Sequence, residues 1–174
     1  MNWDAIGAVG EILGAAGVIG TLAYLAIQIR KSDQTARANS LQALWDGARD
    51  RSFAPQYADR EIGGIWARGL TNFDALDSSE KRRFFFFFAE HNFQFQQAMD
   101  LFKAGLIPET DYQAWLYYTA TLLQTPGGKA AWPFLQNTGT PVLREVLNHY
   151  LAENPDTPSW IELNPFFREE SASV

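Results

Sequence analysis

The sequence predicts an all-α protein with a single N-terminal transmembrane helix followed by a compact cytoplasmic helical bundle. Residues 5–29 contain only one charged side chain, Glu11. In the rest of the chain, apolar residues recur at helical spacing without strand-like alternation, and Pro or Gly separates them into segments of helical length. We therefore divide the chain into a transmembrane anchor at 1–31, a helical cytoplasmic domain at 32–154 and an irregular tail rich in Pro and aromatic residues at 155–174.

The predicted anchor is long enough to cross a bilayer. Residues 5–29 form a helix of about 37 Å at 1.5 Å per residue, against about 30 Å for the hydrocarbon core. A cleaved signal peptide is the less favoured alternative, because Asp4 leads the segment where a signal peptide carries basic residues. Arg30, Lys31 and Arg37 follow the apolar run, and no basic side chain precedes it. This asymmetry predicts an external N-terminus and a cytoplasmic C-terminal domain.

One face of the anchor helix is predicted to pack on another helix. At 100° per residue, small and polar side chains form a single stripe. Its proposed packing residues are Gly7, Gly10, Gly14, Gly17 and Thr21. GxxxG spacing lets helix backbones approach closely, although glycine is also common in membrane helices for other reasons. Gln28 continues the stripe and Glu11 flanks it, so these two form a candidate intramembrane polar site, with an outer-headgroup position as the simpler interpretation of Glu11.

The remaining segments predict a series of amphipathic helices. The first helix is expected to continue until Pro55, with Leu41, Leu44, Trp45 and Ala48 on its inner face. A short helix places Ile62, Ile65, Trp66 and Leu70 inward. The longest cytoplasmic helix starts at an N-cap at Ser78 or Ser79 and ends near Ala104, and Pro108 opens the next helix. A last amphipathic helix uses Val142, Leu143, Val146, Leu147, Tyr150 and Leu151 as its apolar face.

The longest cytoplasmic helix is unusually aromatic. Its predicted inner face consists of Phe84, Phe88, His91, Phe95, Met99 and Phe102. Phe85, Phe86 and Phe87 point in other directions, so this helix must be surrounded on several sides, touch the membrane surface or meet a partner. We favour a central core helix. The candidate partner contacts are Phe84, Phe85, Phe86, Phe87 and His91, with Trp160, Phe166 and Phe167 of the tail.

Composition and motifs argue against several classes of function. The absence of cysteine excludes thiolate metal sites and a Cys nucleophile, and two histidines cannot build a histidine-rich metal site. The net charge of −6 makes nucleic acid an unlikely partner. Glu145 and His149 fit a solvated pair better than a metal site. The run before Ala130 fails the phosphate-loop spacing. We therefore predict no catalytic residue, no metal and no cofactor.

Two blocks of sequence carry a family resemblance. The first runs from Trp3 to Arg30. The second comprises Glu90, Phe93, Gln94, Ala104 to Ile107, Trp115, Pro126 to Lys129 and Trp132. Together they resemble a widespread family of uncharacterised small bacterial membrane proteins with one N-terminal transmembrane helix and a helical cytoplasmic domain. The resemblance implies a bacterial inner-membrane location, without implying a reaction. The five-Phe run and the longer aromatic tail depart from the family pattern.

These features favour a non-enzymatic interaction protein that acts as an accessory or scaffold subunit. Its expected partners are the lipid bilayer and either a second copy or the transmembrane helices of a larger complex. The alternative is a homo-oligomeric channel or pore-forming effector lined by Glu11, Thr21 and Gln28, since one span cannot form a pore alone. An enzyme with a pocket near Glu90 and His91 is a third hypothesis.

Overall fold

The computed structural model describes residues 3–167, with the side chains of residues 4–7, 9, 56 and 57 left out, and these described residues are helical without any strand. The helices are α1 (Trp3–Ala48), α2 (Ala54–Ala58), α3 (Arg60–Thr71), α4 (Ser78–Lys103), α5 (Glu109–Leu123), α6 (Pro126–Leu135), α7 (Pro141–Glu153) and α8 (Trp160–Leu163). A π-helical turn covers Arg49–Phe53, and 3₁₀ turns cover Phe73–Ala75 and Pro165–Phe167. The predicted all-α fold, one long apolar helix followed by a helical domain, is confirmed.

The chain divides into two compact units between Asn39 and Ser40. The first unit is the N-terminal part of α1, in which every described side chain is exposed. The second unit contains the end of α1 and all later elements. The boundary predicted at residue 31 falls inside α1, because no Pro or Gly interrupts the helix there and its backbone hydrogen bonds continue past the last residue of the apolar run.

The π-helical turn joins α1 to α2. Pro55 was expected to end the first helix, but α1 ends at Ala48 and Pro55 lies in the first turn of α2, where a missing backbone N–H costs no helical hydrogen bond. Gln94 of α4 holds the turn from the inside. Its Nε2 donates to the Ser52 hydroxyl at 2.7 Å and to the Gly47 carbonyl at 3.2 Å.

Helix α4 lies at the centre of the second unit and packs against α3, α5, α6 and the π-helical turn. Phe84, Phe88 and Phe95 have no exposed surface, and Met99 is buried beside them. The predicted central core helix is therefore confirmed. Large rings on several faces of one helix are stabilised here because neighbours cover most of those faces, and burial of each such ring contributes about 2–3 kcal/mol.

The start of α4 differs from the prediction by one residue or two. Asp77, rather than Ser78 or Ser79, is the N-cap: its carboxylate accepts from the backbone N–H of Ser79 at 2.7 Å and of Glu80 at 2.9 Å. The Glu80 carboxylate in turn accepts from the Asp77 N–H at 3.0 Å, which completes a capping box. The pKa of Asp77 is lowered mainly by the hydrogen bonds that its carboxylate accepts from the backbone N–H groups of Glu80 and Ser79.

Glycine allows α6 to approach both α3 and α5 closely. A Cβ added at Gly127 would lie 1.7 Å from the Gly69 carbonyl oxygen, and one at Gly128 would lie 2.2 Å from the Leu122 carbonyl oxygen. The Thr125 hydroxyl caps α6 by accepting from the Gly128 N–H at 2.9 Å. The Pro126-Gly127-Gly128 run therefore begins a helix as well as ending the previous one.

The segment predicted to be an irregular tail contains α8 and the last 3₁₀ turn. Ser159 and Glu162 form a capping box at the start of α8. The Trp160 ring meets the Tyr118 ring edge to face, with centroids 5.1 Å apart. The tail thus docks on α5 through α8, and Phe167 packs against the core; residues 168–174 lie outside the described part of the chain.

Candidate interaction surfaces

The N-terminal unit presents an apolar helix on which nothing in the described chain packs. Ile12, Leu13 and Ile19 are among its large exposed side chains. This helix is long and apolar enough to cross a membrane, and it is the one such helix among the described residues. Soluble monomers rarely leave a continuous apolar surface of this extent in contact with water. We therefore expect lipid or other apolar helices to cover this surface.

The predicted packing glycines face open space. A Cβ added at Gly10, Gly14 or Gly17 would meet no atom within 4 Å. The Thr21 hydroxyl donates to the Gly17 carbonyl at 2.9 Å, so its donor is satisfied within the helix. Gly7 lies on the described backbone, but its side-chain surroundings are outside the described residues. No element of the described chain requires Gly10, Gly14 or Gly17 to be small, and their proposed packing role stays a prediction.

The candidate polar site on α1 consists of separate, exposed side chains. Glu11 and Gln28 lie more than four helical turns apart along α1, and both are exposed. The described residues contain no group of three His, Asp or Glu side chains that could hold a metal ion. A single helix therefore brings no two polar groups of this site together, so any joint role would need a second helix.

The five-Phe run divides between core and surface. Phe84 and His91 are buried, so the prediction that these two contact a partner is wrong: α3, α5 and α6 surround α4 and use both side chains within the fold. Phe85 and Phe87 are partly buried against the core. Phe86 is 66% exposed and remains available for a contact outside the domain.

Phe86 lies at an apolar groove of about 500 Å³. Phe73 and Phe85 line it from one side, and Ala131 and Phe134 of α6 line it from the other. Phe134 is 64% exposed. Phe134 is not among the contacts predicted from the sequence, because one aromatic residue after Pro133 carries no periodic signal, and only the packing of α6 on α4 brings it to the same groove as Phe86.

His91 lies inside a cluster of aromatic rings. Its ring stacks on Trp66 with centroids 5.2 Å apart and an interplanar angle of 6°, and Phe53 and Tyr118 close the cluster at 6.3 and 5.8 Å. Its Nδ1 donates to the Phe87 carbonyl at 2.7 Å. Burial lowers the pKa of His91 to about 4, so the ring is neutral at physiological pH. Burial likewise raises the pKa of Tyr118.

Glu90 and His91 do not form a joint site. Adjacent residues on a helix diverge by about 100°. While His91 points into the core, the Glu90 carboxylate meets Arg51 at 3.4 Å on the surface. Glu145 and His149 are not paired either, because His149 contacts Glu153 at 3.2 Å instead. Neither pair of residues that sequence analysis considered for acid–base or metal chemistry is assembled by the fold.

The aromatic residues of the tail have different surroundings. Trp160 and Phe167 are partly buried against the core, whereas Phe166 is 79% exposed. Phe166 and Phe167 border an open groove of about 640 Å³ that also contains Arg60 and Arg68. Of the predicted tail contacts, Phe166 is therefore the one most accessible to a partner.

Comparison with known proteins leaves the chain without an assigned relative. No protein-family model, curated protein or solved structure matches it. The resemblance of its two sequence blocks to a family of small bacterial membrane proteins accordingly stays a prediction.

Proposed function

We propose that this protein is a non-enzymatic, single-span membrane protein that acts as an accessory or scaffold subunit. In this proposal α1 crosses the membrane and packs on other transmembrane helices, either those of a second copy or those of a larger complex. The observation that carries the proposal is the row of α1 glycines that face open space. Small residues favour close helix contacts in lipid, where no hydrophobic drive brings helices together.

The surface of the domain supports the same proposal. Phe86 and Phe134 are both largely exposed beside one apolar groove. Exposed aromatic side chains beside a groove are typical of protein contact sites, because a ring buries a large area while losing little conformational entropy. The domain would thus provide a second contact in addition to that of the membrane helix.

The proposed location is the bacterial inner membrane with the domain in the cytoplasm. Arg30, Lys31 and Arg37 follow the apolar segment, and basic residues are retained on the cytoplasmic side of inner-membrane spans. Protease digestion of sealed spheroplasts and of inverted vesicles tests this orientation, since the domain should be degraded only in the inverted vesicles.

The packing role is tested with Gly10→Leu and Gly14→Leu variants of the full chain. The protein is extracted gently from native membranes, and the size of the assembly is measured by size exclusion with light scattering. We expect both variants to shift the protein toward smaller assemblies, because leucine would separate the helix backbones. Domain stability should not change, since Gly10 and Gly14 lie outside the domain and a Cβ at either position meets no atom within 4 Å.

The matched control is Ala16→Leu, which adds similar bulk to the far side of α1. This variant should keep the native assembly size. An unchanged size for Gly10→Leu and Gly14→Leu, or an equal loss of assembly in Ala16→Leu, would contradict the proposed glycine interface.

A further inference from the structure

A small aromatic cleft lies where the end of α1 meets α5. Trp45, Ala114, Trp115 and Tyr118 enclose a volume of about 180 Å³. The Trp45 and Trp115 rings have centroids 5.3 Å apart at an interplanar angle of 38°. The Trp115 and Tyr118 rings have centroids 5.9 Å apart and are nearly perpendicular, at 81°. Three rings of different orientation therefore bound one space.

The cleft is both rigid and accessible. Trp115 is buried and forms its inner wall. Tyr118 is held from behind by the rings of Phe53 at 6.2 Å and Trp160 at 5.1 Å. Trp45 is 48% exposed, and Ala114 is also exposed, so the cleft opens to solvent between them. A ligand would meet ring surfaces that are already in position, which lowers the entropic cost of binding.

The lining selects against ligands that need hydrogen bonds, because its accessible surface is almost entirely carbon. A quaternary ammonium group suits such a cleft: it has no N–H to leave unpaired, its methyl groups pack on the rings, and its charge is attracted to the ring faces. A neutral group of the same shape would gain the packing without the attraction.

Charged residues that neighbour the cleft residues in sequence favour a cation. Asp111 lies four residues before Trp115, which places both on one side of α5. The nearest cation in sequence on the α1 side is Arg49, whose guanidinium is bound by Asp46 and Asp50 at 3.1 Å each. That group of three carries a net negative charge. The chain as a whole has a net charge of −6.

We infer that the cleft bounded by Trp45, Trp115 and Tyr118 is a binding site for a trimethylammonium group, or a similarly alkylated ammonium. The group comes either from a free small molecule or from a lipid headgroup. This function is additional to helix packing by α1. Loss of either function would leave the other measurable, because assembly size and ligand affinity are separate readouts on different residues.

The test is calorimetric titration of the full-length protein in maltoside micelles. Choline is compared with 3,3-dimethyl-1-butanol, in which carbon replaces the ammonium nitrogen. We expect saturable binding of choline and about tenfold weaker binding of the neutral isostere. Trp45→Ala should weaken choline binding by about tenfold or more, and Trp45→Phe should retain most of it.

Phe93→Ala is the matched control, since Phe93 is equally exposed at 48% but does not line the cleft. It should leave choline affinity unchanged. The inference is overturned if the isostere binds as tightly as choline, if neither compound shows saturable binding, or if Phe93→Ala and Trp45→Ala weaken binding equally.

The source of the ammonium group is identified in nanodiscs. Weaker apparent choline binding in phosphatidylcholine discs than in phosphatidylglycerol discs would show competition by the lipid headgroup. Equal affinity in the two lipids would show that the site takes a free small molecule. Both results support an ammonium site, and Trp45→Ala should abolish the lipid dependence in the first case.

Discussion

Glycines in the N-terminal helix and in the domain have opposite surroundings. In α1, a Cβ at Gly10 or Gly14 would meet nothing within 4 Å. In the domain, a Cβ at Gly69 would lie 2.2 Å from the ring of Phe84, and one at Gly127 would lie 1.7 Å from a backbone oxygen. The domain uses Gly69 and Gly127 for close packing between its elements, whereas Gly10 and Gly14 have no such contact in the described chain.

This difference separates two reasons for placing a small residue in a helix. Glycine in a helix interior costs about 1 kcal/mol relative to alanine, so a helix that retains several glycines needs some compensating contact. For Gly69 and Gly127 the compensation is visible inside the domain. For Gly10 and Gly14 the described chain shows no such contact, and we propose that lipid-embedded helix packing supplies it.

The largest expected effect is that of Gly127→Ala. The added methyl would collide with the Gly69 carbonyl oxygen, and neither backbone can move without separating α3 from α6. We expect the free energy of unfolding to fall by about 3 kcal/mol or more, measured by denaturant titration of the full-length protein with near-ultraviolet circular dichroism.

Gly64→Ala is the control within the same domain. Its Cβ would approach only the end of the flexible Arg68 side chain, at 3.3 Å. This change should alter stability by less than about 1 kcal/mol, and in the stabilising direction through helix propensity. Equal losses in Gly127→Ala and Gly64→Ala would show that the close approach of α3 and α6 is not needed for stability.

Acid is expected to destabilise the domain, because His91 is buried with a pKa lowered from 6.5 to about 4. The unfolded state binds a proton at higher pH than the folded state. The contribution of neutral His91 to the free energy of unfolding is therefore fully present above about pH 6.5, and it is lost as the pH drops toward 4. The loss amounts to about 3 kcal/mol at most. Asp77, whose pKa is also lowered, would lose its contribution only at still lower pH.

The acid effect is measured by thermal unfolding between pH 7 and pH 4, with near-ultraviolet signals for the domain and far-ultraviolet signals for total helix. His91→Leu should flatten the pH dependence of domain unfolding. His149→Asn should leave that dependence intact, since His149 is exposed. A wild-type domain whose stability does not change between pH 6.5 and pH 4 would be inconsistent with a buried, neutral His91.

The smallest expected effect concerns the start of α4. Asp77→Ala removes the carboxylate that accepts from two backbone N–H groups, and should lower the denaturant midpoint of the domain. Ser78→Ala, at one of the two capping positions predicted from the sequence, should change this midpoint by much less. Denaturant midpoints of the two variants decide between the caps, and a larger effect of Ser78→Ala would restore the original prediction.

Periodicity predicted the interior of the domain well where one helix face was decisive. Phe84, Phe88 and Phe95 are all buried as expected, as is Leu147 of the last helix. These predictions succeed because a repeat of three or four residues sets which side chains share a face, whatever the neighbours are.

The predictions failed where several choices were locally equivalent. Asp77, Ser78 and Ser79 are all good capping residues, and only the extended backbone at Asp77 selects among them. His91 was expected to meet a partner because the surroundings of a single helix cannot be deduced from its own sequence. Rings from α3, α5 and the π-helical turn cover it in the fold.

The sequence by itself determined that the chain is helical and that its first helix is apolar enough to cross a membrane, because both properties depend on composition and spacing along one segment. Only the tertiary structure decided that Phe86 and Phe134 share an exposed groove, that Trp45 joins Trp115 and Tyr118 around a cleft, and that Gly127 must be small. Each of these depends on which residues from distant segments meet, and distance along the chain does not specify that contact.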